Sequence, residues 1–227
     1  FRIVSLAAFL ADTEGRGSQT TFIFDDPISS LDQAYEEAAA KRLVVLSKHR
    51  QVIVFTHRLS LLGLLSKYSD KEHVDKTIVC LSRMRIGDID ELPITLMKTK
   101  PATNKLLNER VKAALTAFQA TDQEYEKEAT NLCHDIRILL EQIVESDLLC
   151  GVVRRYNPEV QTKGKIEHLS QITPDDCKFV DDLMTAYSRY EHSQPDEAPV
   201  ELPKPEVIEN DLKKILDFIE TIQRRQA

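Results

Sequence analysis

The strongest constraint in this chain is an apolar run that stops on two adjacent acids. Residues 21–32 read Thr-Phe-Ile-Phe-Asp-Asp-Pro-Ile-Ser-Ser-Leu-Asp, and residues 51–58 read Gln-Val-Ile-Val-Phe-Thr-His-Arg. Short continuous apolar runs suit strands of a buried parallel sheet, and parallel strands need a long crossover between them. The intervening residues 31–49 supply one, with helix formers such as Tyr-Glu-Glu-Ala-Ala-Ala-Lys at 35–41. The pattern predicts a strand–helix–strand unit with a right-handed crossover. It puts Asp25, Asp26, Thr56 and His57 at the strands' carboxyl ends, where open α/β sheets bind ligands.

These residue types can do a specific chemistry together. A carboxylate at a strand end holds Mg²⁺ directly or through water, and the metal neutralises phosphate charge. A second carboxylate beside it can orient or deprotonate an attacking water, and a histidine one strand over can contact the transferring phosphate. On this reading Asp25 is the metal ligand, Asp26 the water-positioning base and His57 the γ-phosphate sensor. Taken singly, each residue reads as an ordinary loop or capping group, and Asp32 makes a good N-cap. The full set in this order favours the functional reading.

The run Phe-Ile-Phe-Asp-Asp-Pro-Ile-Ser-Ser-Leu-Asp resembles a Walker B motif with its D-loop, and Val-Ile-Val-Phe-Thr-His-Arg resembles the switch-histidine loop of ABC-type ATPases. The branch is the one that includes SMC-like DNA-repair ATPases, and the likeness is greatest to prokaryotic defence ATPases of the PrrC/RloC anticodon-nuclease type. The opening residues 1–12 resemble the helix after that family's signature motif. The resemblance spans residues 1–58 strongly and extends to about residue 100. It implies that Ser30, Leu31 and Asp32 face a second head across an ATP–Mg²⁺ sandwich, with Asp25, Asp26 and His57 in the roles above.

One departure is large. The six glycines (15, 17, 63, 87, 151 and 164) nowhere form the G-x-x-x-x-G-K-[ST] phosphate loop, and no Ser-Gly signature precedes residue 1. Those parts supply the amides and the lysine that cradle phosphates. The expectation is a C-terminal half of a longer ATPase, completed by an N-terminal half and hydrolysing little ATP alone.

Composition bounds the rest. Hydrophobic content of 42%, charged content of 30% and a formal net charge of −7 describe an ordinary globular chain and argue against bulk attraction to nucleic acid. Cys80, Cys133, Cys150 and Cys177 lie far apart, without a C-x-x-C pair. The expected compartment is therefore reducing and cytoplasmic. No run approaches the ~20 apolar residues of a membrane span.

Read in order, residues 1–13 predict a helix burying Ile3, Ala7, Phe9 and Leu10. Residues 59–67 predict a helix, 75–83 a strand, and 92–98 a returning edge strand. The expected boundary separates an ATPase lobe at 1–103 from a helical domain at 104–227. In the latter, Leu132, Ile136, Leu139, Ile143 and Val144 form one stripe. Ile208, Leu212, Ile215, Ile219 and Ile222 fit a heptad seam that packs in cis or on a partner helix. Arg154 and Arg155 read as the end of the helix begun at 129, or as tRNA contacts.

Arg137 and Glu141 stand one helical turn apart, and His192 follows a later helix. The helical RNases of the anticodon-nuclease type use an Arg, a Glu one turn on and a distal His, so the resemblance implies metal-independent RNA cleavage by these three. The plainer alternative is a helical interaction or regulatory domain with the Arg137–Glu141 pair on its surface, since such pairs occur on many solvated helices. The sequence thus reads as α/β, a partial ABC-type core with a parallel βαβ unit, followed by an α-helical C-terminal domain. Its function reads as an ATPase subunit of antiphage defence whose helical domain is a sensor or RNase effector. The rival readings are an SMC-like DNA-repair or DNA-binding ATPase head and a non-catalytic dimerisation scaffold.

Overall fold

The computed structural model describes residues 2–15, 20–28, 33–82, 85–155, 159–191 and 201–226. These form two compact units, one over Phe1–Ile78 and the other from Val79 onward. The division falls earlier in the chain than the expected 103/104 boundary. Thr99, Ala102 and Thr103 are buried and Ala102 belongs to the helical core, so the residues before 104 side with the helices.

In the first unit, β1 (Phe22–Asp25) and β2 (Val52–Phe55) pair in parallel, with Phe24 opposite Val54 and Asp25 opposite Phe55. Helix α2 (Gln33–Ser47) makes the crossover and α3 (Leu59–Glu72) follows β2. Strand alternation sorts the side chains. Phe22, Phe24, Val52 and Val54 pack with Leu10, Leu43, Leu46 and Leu65, while Ile23, Ile53 and Phe55 stand exposed on the other face. A second cluster of Ile28, Ala40, Val44, Leu61, Leu64 and Tyr68 joins α2 to α3 and to the turn after β1. The expected βαβ unit is present, made of two parallel strands and a helical crossover.

Helix α1 (Arg2–Gly15) buries Leu10 as expected, but Ala7 and Phe9 are exposed. Phe9 still meets the rings of Phe22 and Phe24, at 5.6 and 6.2 Å between centroids, by its edge rather than by insertion.

The second unit begins with two short strands, β3 (Cys80–Leu81) and β4 (Ile89–Asp90), paired antiparallel. The expected strand over 75–83 is therefore reduced to two described residues. The expected edge strand at 92–98 is instead a 3₁₀ turn at Ile94–Leu96, because Pro93 lacks the donor a ladder needs. A long helix follows as α4 (Thr99–Lys105), a π turn at Leu106–Arg110, and α5 (Val111–Ala120).

Helix α6 (Asp122–Ile143), capped by the Thr121 hydroxyl, runs into a second π turn at Val144–Leu148. Helices α7 (Pro174–Glu191) and α8 (Pro205–Arg225) complete the bundle. Leu132, Ile136, Leu139 and Ile143 are buried as the stripe requires. Ile208, Leu212, Ile215, Ile219 and Ile222 are at most 2% exposed and lie in the same core. The seam of the last helix is thus satisfied within the chain. The helix begun in α6 ends before Arg154 and Arg155, which lie beyond the second π turn.

Candidate functional site

Both acids of the first motif lie at the carboxyl end of β1. Asp25 is the last strand residue and is exposed; no side-chain hydrogen bond engages its carboxylate among the described residues. Asp26 leaves the strand with a left-handed φ of 41°, a conformation that Asp and Asn tolerate better than other side-chain-bearing residues. Its backbone N–H donates to the Phe55 carbonyl at 2.8 Å, extending the ladder by one bond.

The turn directs the Asp26 carboxylate across to the exit of β2. Thr56 Oγ1 donates to Asp26 Oδ1 at 2.9 Å, and His57 Nδ1 lies 3.6 Å from Asp26 Oδ2. The latter is an electrostatic contact, longer than a hydrogen bond. The imidazole is 81% exposed. Two charged or titratable groups from consecutive parallel strands therefore meet at one sheet edge.

Two neighbours to which the sequence assigns no role complete the edge. Thr56 is the bridge between strands: it donates to Asp26 and accepts the Arg58 N–H at 3.1 Å. Arg58, the residue before α3, donates to the Ile28 carbonyl at 3.0 Å and pairs with Glu36 of α2, which is 4% exposed. Arg58 thereby ties the turn after β1, the crossover helix and the exit of β2 together. The signal for Thr56 was its place immediately before His57 at a strand end. For Arg58 it was a cation three residues beyond a strand, facing an acid in the preceding helix.

Ser30, Leu31 and Asp32 lie outside the described residues, as does His192. Of the other helical-domain residues, Arg137 Nη2 lies 3.3 Å from Glu141 Oε1. Glu141 also takes Arg155 at 2.5 Å, and Arg155 pairs with Glu145 as well. Glu141 is therefore held between two guanidiniums, and Arg155 serves this network rather than the end of a helix.

The acids at the sheet edge suit a magnesium ion. Mg²⁺ keeps most of its waters and takes only one or two carboxylates besides substrate phosphates. Asp25 offers an uncommitted carboxylate, and the Asp26 oxygens are oriented by Thr56 and His57. No group of three or more His, Cys, Asp or Glu gathers for a metal among the described residues, which Mg²⁺ bound this way does not require.

Comparisons of the chain with family models, with curated proteins and with solved structures each found no match. No helix among the described residues is long and apolar enough to cross a membrane.

Proposed function

We propose that this chain carries the Walker B, D-loop and switch-histidine portion of an ABC-type ATPase head. The observation that supports it is the Asp26–Thr56–His57 constellation at the carboxyl edge of a parallel βαβ unit, beside the exposed Asp25. Asp25 would hold the metal, which when bound offsets triphosphate charge. Asp26 orients the attacking water and His57 reads the γ-phosphate. Thr56 and Arg58 are positioning residues. Thr56 fixes the Asp26 carboxylate, and Arg58 fixes the loop leading to Ser30, Leu31 and Asp32, which face the second head.

The phosphate-binding amides come from a segment bearing the missing G-x-x-x-x-G-K-[ST] loop, the N-terminal half of the same ATPase. The sheet supports this need. Parallel sheets are covered on both faces, and here Ile23, Ile53 and Phe55 remain exposed on one. The biological setting is antiphage defence in the cytoplasm, and the helical unit is the sensor or effector that acts on tRNA or another nucleic acid.

The decisive experiment is Asp26→Asn in the complete ATPase. Turnover is lost while Mg²⁺–ATP is retained, measured by phosphate release and by nucleotide co-purification. An unchanged rate rejects the assignment. The effector role is tested separately by incubating the protein with tRNA. Cleavage that disappears in Glu141→Ala and His192→Ala supports it; cleavage that persists in both, or no cleavage by the active ATPase, removes it and leaves the ATPase reading standing.

A further inference from the structure

The helical unit buries one carboxyl group that the proposed chemistry does not use. Asp147 sits in the π turn after α6 and is 3% exposed. Gln223 Nε2 of α8 donates to its Oδ1 at 2.8 Å, and Gln226 Nε2 donates to its backbone carbonyl at 2.7 Å. From α4 the Thr99 hydroxyl faces the same carboxyl, and from its own segment the Cys150 thiol contacts the Asp147 carbonyl at 3.7 Å. Oδ2 is buried with no hydrogen-bond partner among the described residues.

The nearby charged groups are committed elsewhere. Lys100 of α4 pairs with Glu220 at 2.5 Å, Arg225 of α8 with Asp176 at 2.7 Å, and Glu145 of the π turn with Arg155. A buried carboxylate with an orphaned oxygen and no cation is far costlier than the neutral acid. Burial accordingly pushes the Asp147 carboxyl up from its ordinary value, against the opposing hydrogen bond of Gln223.

We propose that Asp147 is held as the neutral acid in the folded helical unit and that its ionisation loosens the end of α8. Ionisation draws the carboxylate toward water and releases the grip of Gln223 and Gln226 on the π turn. The π turn carries this well, because its wider hydrogen bonding interrupts the regular ladder at the point where Asp147 must move. The sign follows from linkage. The stabilising contribution is full below pH ~4, where the unfolded carboxyl is also protonated. It falls as pH rises through the folded value, with the opening constant growing by up to about tenfold per pH unit.

The test compares the intact chain with Asp147→Asn at pH 5 and pH 8, reading hydrogen exchange of the last turn of α8 corrected for intrinsic rate. In the native chain the opening constant increases about tenfold or more at pH 8, and Asp147→Asn removes that increase. Asp135→Asn is the control, since Asp135 is also pushed up by burial and must leave the α8 difference intact. A pH response that survives in Asp147→Asn overturns the proposal. Should that variant fail to fold, the ¹³C carboxyl shift of Asp147 in the native chain decides: ionisation complete by pH 5 overturns it, and a neutral acid at that pH supports it.

Discussion

The ion pair between Asp176 and Arg225 gives the sharpest quantitative prediction. Two Arg225 nitrogens donate to the two Asp176 oxygens at 2.8 and 2.7 Å, while the Thr173 N–H and hydroxyl donate to Oδ2 at 2.8 and 2.7 Å. Asp176 therefore caps α7 and anchors α8 at once, and it is 6% exposed. The Arg225 guanidinium, followed by the Thr173 donors, holds its carboxyl down at about 2 against an ordinary 3.8. That depression is worth roughly 2 kcal/mol of folding free energy.

The folded value lies below the unfolded one, so this contribution is complete above pH ~4 and disappears as pH falls through about 2. Asp176→Asn should destabilise the protein by about 2 kcal/mol at pH 7 and by much less near pH 2, measured by urea unfolding with circular dichroism. A double-mutant cycle with Arg225→Met should return a coupling of about 1–2 kcal/mol. A cost for Asp176→Asn that is the same at pH 7 and pH 2, or a coupling below ~0.5 kcal/mol, refutes the reasoning.

Three further outcomes are expected. Arg58→Ala strands Glu36 as a buried, unpaired carboxylate and should cost about 2–3 kcal/mol in thermal or urea unfolding of the intact chain; Arg58→Lys should recover only part, because one ammonium cannot serve both Ile28 and Glu36. Thr56→Val removes the donor to Asp26 and should cost about 1 kcal/mol in urea unfolding; under the proposed ATPase role it also lowers turnover without weakening nucleotide binding. Leu212→Ala, at a fully buried position of α8, should cost about 2–5 kcal/mol by urea midpoint, and a loss under ~1 kcal/mol means that α8 does not belong to the core.

What could be read in advance depended on whether the signal was local. The run ending in Asp25-Asp26 and the run ending in Thr56-His57 announced two strands and a shared edge, because hydrophobic period and strand-end polarity are written within eight residues. The stripes at Leu132–Ile143 and Ile208–Ile222 were legible for the same reason, through a 3.6-residue spacing. The segment from 75 to 98 was not. Its apolar residues suit strands, but only Cys80–Leu81 and Ile89–Asp90 pair, and the rest turns toward the helices. Phe9 and Ala7 were misjudged because a helix's apolar side shows which face prefers burial, not whether a neighbour covers it. Arg58 and Asp147 act over sequence separations of 22 to 79 residues, which no spacing rule encodes.

The left-handed turn at Asp26 restricts how its proposed role can be probed. A glutamate there keeps the charge but meets a backbone geometry disfavoured for longer side chains, so an Asp26→Glu variant that fails the test of the proposed role would confound a misplaced carboxylate with a distorted chain. Asparagine tolerates the same torsion, and glycine does so more freely, so these two substitutions separate what the side chain does from what the peptide path demands.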